Sequence, residues 1–416
     1  MRNVDVLFLI EHVTRELDVV LCLIHKLRSR FGLTAEVRNY YQDFADTLTQ
    51  VMPRVVVFPF FYGSDHIYPV EYTRTWPTAC FVNLGWEQIL NKTDLSMKIP
   101  RDDVARLQVI HVCWTHKHAE FLEEYGVPAN HRLLTGNPVM KLYDPPYNRY
   151  FKSRADLSAL YDLDSRKKWV VFPESYQFAF FNEEFLRFLA DHQNANMKLM
   201  RQAREYSERS LKKLFVWCDE LREEDPIFIV RPRPSTGESQ MIDFMRQSIR
   251  GTNSNIKIIK AETVREWILA SDHVISSHST TLVEAALAGK PIHRFSPETY
   301  PEALALHWHE LVPLLSARTD LLEAIRSQPV NQGDTRLLEW ARTQFLWAGD
   351  PLDVIARSLG GLLATVRGTP TAAPVRQSSG RTRKDLVQAS QGEPEDIFDA
   401  AEVDSRLARW HSVLEA

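Results

Sequence analysis

The sequence predicts an α/β protein with two parallel-sheet domains of the Rossmann kind facing each other across a cleft. Three observations predict it. Short apolar runs alternate with amphipathic helical patterns over most of the chain. A length of 416 residues exceeds that of one domain. The texture breaks at Asp144-Pro145-Pro146-Tyr147 and the charged stretch to Lys168, after which a second strand series begins.

Taken in order, Val4–Ile10 reads as a buried strand and Glu16–Phe31 as a helix, with Leu17, Val20, Leu21, Ile24 and Leu27 on one face. Strands follow at Ala35–Asn39, Arg54–Pro59, Thr78–Asn83 and Val109–Cys113, then a helix over His116–Tyr125. Leu133–Thr135 runs into the turn cluster Gly136-Asn137-Pro138. The second series opens with Trp169–Pro173 and continues with a long polar helix from about Asn182 to Arg222. Ile227–Arg231, Ile256–Ile259 and Val274–Ser276 are its further strands. Thr263-x-x-Glu266 is a capping box that opens a helix ending at Ser271. Helices are expected over Asp320–Ser327, Thr335–Phe345 and Asp350–Leu363.

These elements divide the chain into a first domain over 1–145, a second over 166–348, a helix over 350–364 that crosses back to the first, and a tail over 368–416. The tail beyond Arg367 is poor in apolar residues and reads as largely disordered. Its last part, Glu395–Leu414, has an amphipathic pattern that fits a terminal helix, either docked or loosely attached.

Composition is that of a globular chain, 44% apolar and 25% charged. A formal net charge of -4 gives no global basic field for nucleic acid. Cys22, Cys80, Cys113 and Cys218 are scattered without metal or redox spacing, as expected of thiols in a reducing compartment. Val6–Ile10 is too short for a signal-peptide core, and no run reaches the 18 residues of a membrane span. A cytoplasmic location is expected, at the inner face of the membrane if the acceptor is a glycolipid.

The candidate chemistry lies where strands end. After Ser276 come Ser277, Ser279, Thr280 and Thr281, at the start of a helix stopped by Gly289 and Pro291. One hydroxyl would be an ordinary cap; five among six residues exceed that need. Free N–H groups at a helix start suit a phosphate, and Glu284, one turn in, suits a sugar diol. Arg231 and Arg233 follow another strand, where two guanidinium groups can clamp a phosphate or a sugar carboxylate. Glu174 follows Trp169–Pro173 and can serve as base, nucleophile or hydroxyl binder. Glu11 closes the first strand as the catalytic carboxylate of that domain, with Arg15 and Glu16 beside it on the acceptor side; with Asp18 these also fit a plain ion cluster. His116-x-His118 and His307-x-His309 lack a third ligand at characteristic spacing, and Asp162-x-Asp164 falls in the connecting segment. No metal or organic cofactor is expected, because arginines and helix ends can neutralise a leaving phosphate.

Three segments resemble the bacterial surface carbohydrate biosynthesis family of GT-B glycosyltransferases, related to enzymes that use CMP-activated acidic sugars such as Kdo or sialic acid. They are Thr14–Asp18 (TRELD); Cys113–Pro138, from CWTHKHAEFLEEYG to TGNP; and Arg231–Pro291, where RPRP precedes SSHSTTLVEAALAGKP. The resemblance spans residues 4–300. It implies a GT-B fold, a CMP-linked sugar as donor, and a glycan or glycolipid acceptor with a polysaccharide-assembly partner. In that family a His-Pro pair precedes the Ser/Thr-rich motif; here the pair is Arg233-Pro234, and an arginine supplies charge but no general acid near neutral pH. A UDP-sugar transferase, a 2-epimerase, or a non-catalytic assembly protein on the same fold are the alternatives.

Overall fold

The computed structural model describes residues 1–64, 67–89, 95, 98–193, 196–251, 253–327, 335–365 and 397–415. The predicted disordered stretch beyond Arg367 lies outside the described residues as far as position 396.

Six strands form the first sheet: β1 (Arg2–Ile10), β2 (Ala35–Asn39), β3 (Val51–Phe58), β4 (Cys80–Asn83), β5 (Val109–Cys113) and β6 (Arg132–Leu134). All pair in parallel, in the order β2-β1-β3-β4-β5-β6. The second sheet comprises β7 (Trp169–Pro173), β8 (Ile227–Arg231), β9 (Ile256–Ile258), β10 (His273–Ser276), β11 (Ile292–Phe295) and β12 (Leu314–Leu315). It too is parallel, in the order β12-β11-β10-β7-β8-β9. Near-continuous apolar runs such as Val170–Phe172 are buried on both faces, as helix-covered parallel strands require. β11 and β12 carry too little apolar patterning to be anticipated.

Both strand orders reverse direction at one place. In the first sheet the reversal falls between β1 and β3, in the second between β7 and β10. Crevices open at the carboxyl ends of strands at such reversals. The loops after β1, β7 and β10 therefore lie at these reversals.

The helices adjust to local chemistry. The first begins as a π turn, Val13–Leu17, and becomes α-helical as α1, Asp18–Phe31. A π turn is a common irregularity at functional sites. The long polar pattern after Asn182 is two helices, Glu183–Gln193 and α2, Met197–Cys218. Asn196 starts the second by accepting the N–H groups of Lys198 and Leu199. The capping box at Thr263 forms as expected and opens α3, Val264–Ala270. The hydroxyl loop leads into α4, Thr281–Leu287.

Near the end of the chain, α5 (Thr335–Phe345) precedes α6 (Pro351–Thr365), which packs on α1. Lys26 and Arg30 of α1 both reach Asp353, at 2.5 and 2.7 Å, and Arg54 donates to the Leu363 carbonyl at 2.7 Å. A last helix, α7 (Ala400–Leu414), docks on α1 and the connecting turn Tyr147–Tyr150. Its Trp410 is fully buried, stacked on Tyr150 with centroids 3.9 Å apart. Among the described residues no helix is long and apolar enough to cross a membrane. All four cysteines are free thiols, three of them buried.

Candidate functional site

The loops of the two domains meet: Arg265 of α3 donates to the Arg15 carbonyl at 2.8 Å, and the Arg233 charge reaches Glu87. On the first-domain side the π turn folds Arg15 back over three carboxylates: Glu16 at 2.6 Å, Glu87 at 2.8 Å and Glu11 at 3.2 Å. Burial disfavours the Arg15 charge, but these carboxylates outweigh it and hold the guanidinium ionised. Glu16, expected on the acceptor side, is fully buried and accepts the Glu11 N–H at 2.8 Å. It braces the end of β1 and Arg15 instead of meeting an acceptor, because the π turn rotates it inward. Glu87 follows β4; Lys98 at 3.0 Å, with Arg15, keeps its carboxyl well below the usual range. Glu11 is partly open and also lies 3.7 Å from His12.

In the second domain the predicted residues separate into two groups. Glu174 is 3% exposed. One carboxylate oxygen accepts the Tyr176 N–H and the other the Arg233 N–H, so it ties the loop after β7 to the loop after β8. Burial pushes its pKa up, with Arg233 opposing. The carboxylate expected to work on a substrate is a loop fastener. Arg231 donates to the carbonyls of Pro232 and Glu262, at 3.1 and 2.7 Å, and thereby holds the chain beside α3. Ser276 donates to the Pro173 carbonyl, and Ser277 shares a hydrogen bond with Tyr206 at 3.1 Å; both are fully buried. Glu284 is 9% exposed and accepts the Tyr143 hydroxyl at 2.7 Å. Burial raises its pKa, while Arg265, Tyr143 and Arg231 pull it down.

The second group stands at the crevice. His278, Ser279, Thr280 and Thr281 are half-buried, with Thr281 donating to Ser279 at 2.8 Å. Arg233 and Arg294 each leave a buried Nε without a partner, and neither forms an ion pair among the described residues. His278 Nδ1 and His309 Nε2 are likewise buried without a partner. Arg294 lies 5.3 Å over the Tyr300 ring, which in turn meets His309 at 5.5 Å and His278 at 6.2 Å. Burial, with the nearby arginines, pushes both imidazoles down to about 3, so each is neutral at pH 7. Two guanidinium groups and two imidazoles thus bring nitrogen atoms to one region; the charge of Arg233 is shared with Glu174 and Glu87, while Arg294 has no ion-pair partner among the described residues.

Sequence reasoning missed His278, Arg294, Arg265 and Glu87. His278 lies inside the hydroxyl loop and could have been found there. Arg294 lies within β11, a strand that the pattern did not reveal. Arg265, in the first turn of α3, carries no local signal; it is buried and donates across the cleft to the Arg15 carbonyl at 2.8 Å. Of the weak metal patterns, His116 packs against Trp347 with the rings tilted, His118 is buried, and Asp162 ends a helix in the left-handed conformation.

Two parallel six-stranded α/β domains with facing loop ends and a returning C-terminal helix define the GT-B fold. Among solved structures, the wall teichoic acid polymerase TagF is similar at TM-score 0.57 and 10% identity, covering 87% of this chain and 88% of that one. A TagF structure soaked with CDPG gives 0.55, 11%, 87% and 88%. MnaA of S. aureus, solved with UDP, gives 0.50 and 13%, covering 90% of this chain and all of that one. No protein-family model and no curated protein matches the sequence.

Proposed function

We propose that the chain is a glycosyltransferase that moves an acidic sugar of the Kdo kind from a CMP-linked donor onto a bacterial surface glycan. The observation that carries this reading is the convergence of Arg233, Arg294, His278 and His309, with unpartnered nitrogens, beside the hydroxyl loop. The donor phosphate lies against Ser279, Thr280, Thr281 and the imidazole N–H groups. A Kdo-type donor brings a phosphate and a carboxylate, two anions for two guanidinium groups. Glu284 takes the ribose diol once Tyr143 releases it. The acceptor enters beside Glu11 and Arg15.

In the reaction, Glu11 takes the proton of the acceptor hydroxyl. The acceptor oxygen bonds to the anomeric carbon as that carbon's bond to the phosphate oxygen breaks, and the nucleotide leaves with the electron pair. Arg233 and Arg294 stand where they neutralise the charge that develops on it, a preorganised electrostatic contribution. No metal is required for that neutralisation. The enzyme works at the inner face of the membrane, where a glycolipid acceptor and a polysaccharide-assembly partner are met.

A second reading is a UDP-linked donor, as transferase or 2-epimerase. The same cation count also fits a diphosphate, and TagF with CDPG and MnaA with UDP share the fold. Nucleotide-dependent thermal shift separates the readings. The preferred one expects CMP and CDP to raise the unfolding midpoint; a shift with UDP alone overturns it, and no shift with any nucleotide favours a non-catalytic protein. Glu11→Gln is expected to keep the nucleotide shift and lose transfer by at least about a hundredfold. Undiminished transfer removes the assignment of the base.

A further inference from the structure

The last helix carries groups that the cleft does not use. His411 and Glu415 are four residues apart, so both side chains lie on one face at the end of α7. That face meets α1, where His25 is buried. His25 Nε2 lies 3.3 Å from Glu415 Oε1. The His25 and His411 rings meet edge-on with centroids 5.7 Å apart. One donor atom from each of the three residues lies within 4.8 Å of the others.

Two imidazoles and a carboxylate form a ligand set for zinc and its first-row neighbours; calcium and magnesium prefer oxygen alone. Tetrahedral zinc with bonds of ~2.0–2.1 Å separates its ligand atoms by about 3.3 Å. The His25–Glu415 pair already stands at that spacing. His411 is exposed, so its ring is free to turn the remaining distance, and solvent supplies the fourth position.

Helix electrostatics point the same way. Glu415 caps the C-terminal end of α7, where the dipole is negative and a carboxylate is disfavoured. Among the described residues no lysine or arginine pairs with it; its one ion-pair neighbour is His25. A divalent cation at this point offsets both charges.

We propose that His25, His411 and Glu415 form a zinc-class transition-metal site that fastens α7 to the first domain. The site lies about two helical turns along α1 from Asp18, which α7 also covers. There Arg406 reaches Asp18 at 2.6 Å and the Trp410 indole donates to the Asp18 carbonyl at 3.0 Å. The metal would lock a helix that braces the connection between domains, with no part in the transfer chemistry. The inference is independent of what the cleft binds.

The test uses the full chain, stripped with a chelator and titrated with zinc against a colorimetric competitor, with cobalt(II) as a spectroscopic probe. Wild type is expected to take up one ion per chain, gain the visible absorption of tetrahedral cobalt, and unfold several degrees higher with zinc. His411→Ala and Glu415→Gln, both at exposed positions, are expected to weaken zinc binding at least about tenfold and to lose the thermal gain. Zinc affinity equal in all three proteins, or no uptake by wild type, overturns the proposal; equal affinity would place the ion on other histidines.

Discussion

Arg294 and His278 owe their chemistry to where their strands stop. His278 lies two residues beyond Ser276, the last paired residue of β10, and Arg294 is the penultimate residue of β11, paired with Ser276 and Leu314. Arg294 is half-buried with its Nε enclosed and unpartnered, and an enclosed cationic nitrogen without a partner costs stability, so its retention favours an anionic ligand. Arg294→Ala is expected to weaken nucleotide binding by about 1.5–3 kcal/mol, roughly tenfold to a hundredfold in Kd, read by calorimetry. Unchanged affinity would remove Arg294 from the phosphate site. The histidines make a pH prediction. His118, His273, His278 and His309 all titrate near 3 when folded, each chiefly because burial disfavours the charged ring. Unfolded, they titrate near 6.5, so between about 3 and 6.5 the unfolded chain binds more protons. Their contribution is complete above about 6.5 and lost as pH falls, at up to about 1.4 kcal/mol per unit per histidine. Denaturant midpoints at pH 7 and 5 test this; equal midpoints would contradict it.

Helices and strands differ in how far they announce themselves. The strands with unbroken apolar runs and the capped helix α3 were legible, because burial on both faces and a reciprocal cap leave local marks. β11 and β12 were not, since short edge-side strands bury little. The amphipathic pattern of α7 was visible with Val403, Leu407 and Trp410 on one face, but its docking partner was not. Gly136 marks a similar long-range fit: at φ 80°, a Cβ there would meet the Phe345 carbonyl oxygen at 2.6 Å. Trp410→Ala is expected to cost about 3–5 kcal/mol, less whatever is saved if α7 simply detaches. Hydrogen exchange should then show residues 400–414 deprotected before the sheets. Protection equal to wild type would mean that the Trp410–Tyr150 stack does not hold the helix.

Across the whole molecule, the cleft is held by few polar links. Arg265 reaches the Arg15 carbonyl from the second domain, and Tyr143 reaches Glu284 from the end of the first. Both engage groups at the ligand-facing loops, so closure and binding share atoms. Arg265→Gln, close in length and without the charge, is expected to loosen closure. Small-angle scattering should show a larger radius of gyration with unchanged circular dichroism, and nucleotide should restore part of the difference. Identical scattering from variant and wild type would show that this link does not set the closure.

The sequence alone determined the α/β class, the two-sheet plan and the clustering of hydroxyls and arginines at strand ends. These follow from periodicity and turn chemistry, which act over a few residues. Which polar side chains remain open was decided only by tertiary structure. Glu16, Glu174, Arg231 and Ser277 looked as available as Arg233 and Thr280, yet packing turned them inward to satisfy backbone and neighbouring groups. Arg294, His278 and Arg265 were brought to the cleft by strand order and helix docking. A buried polar atom must find a partner, and the partner's identity depends on residues distant in sequence.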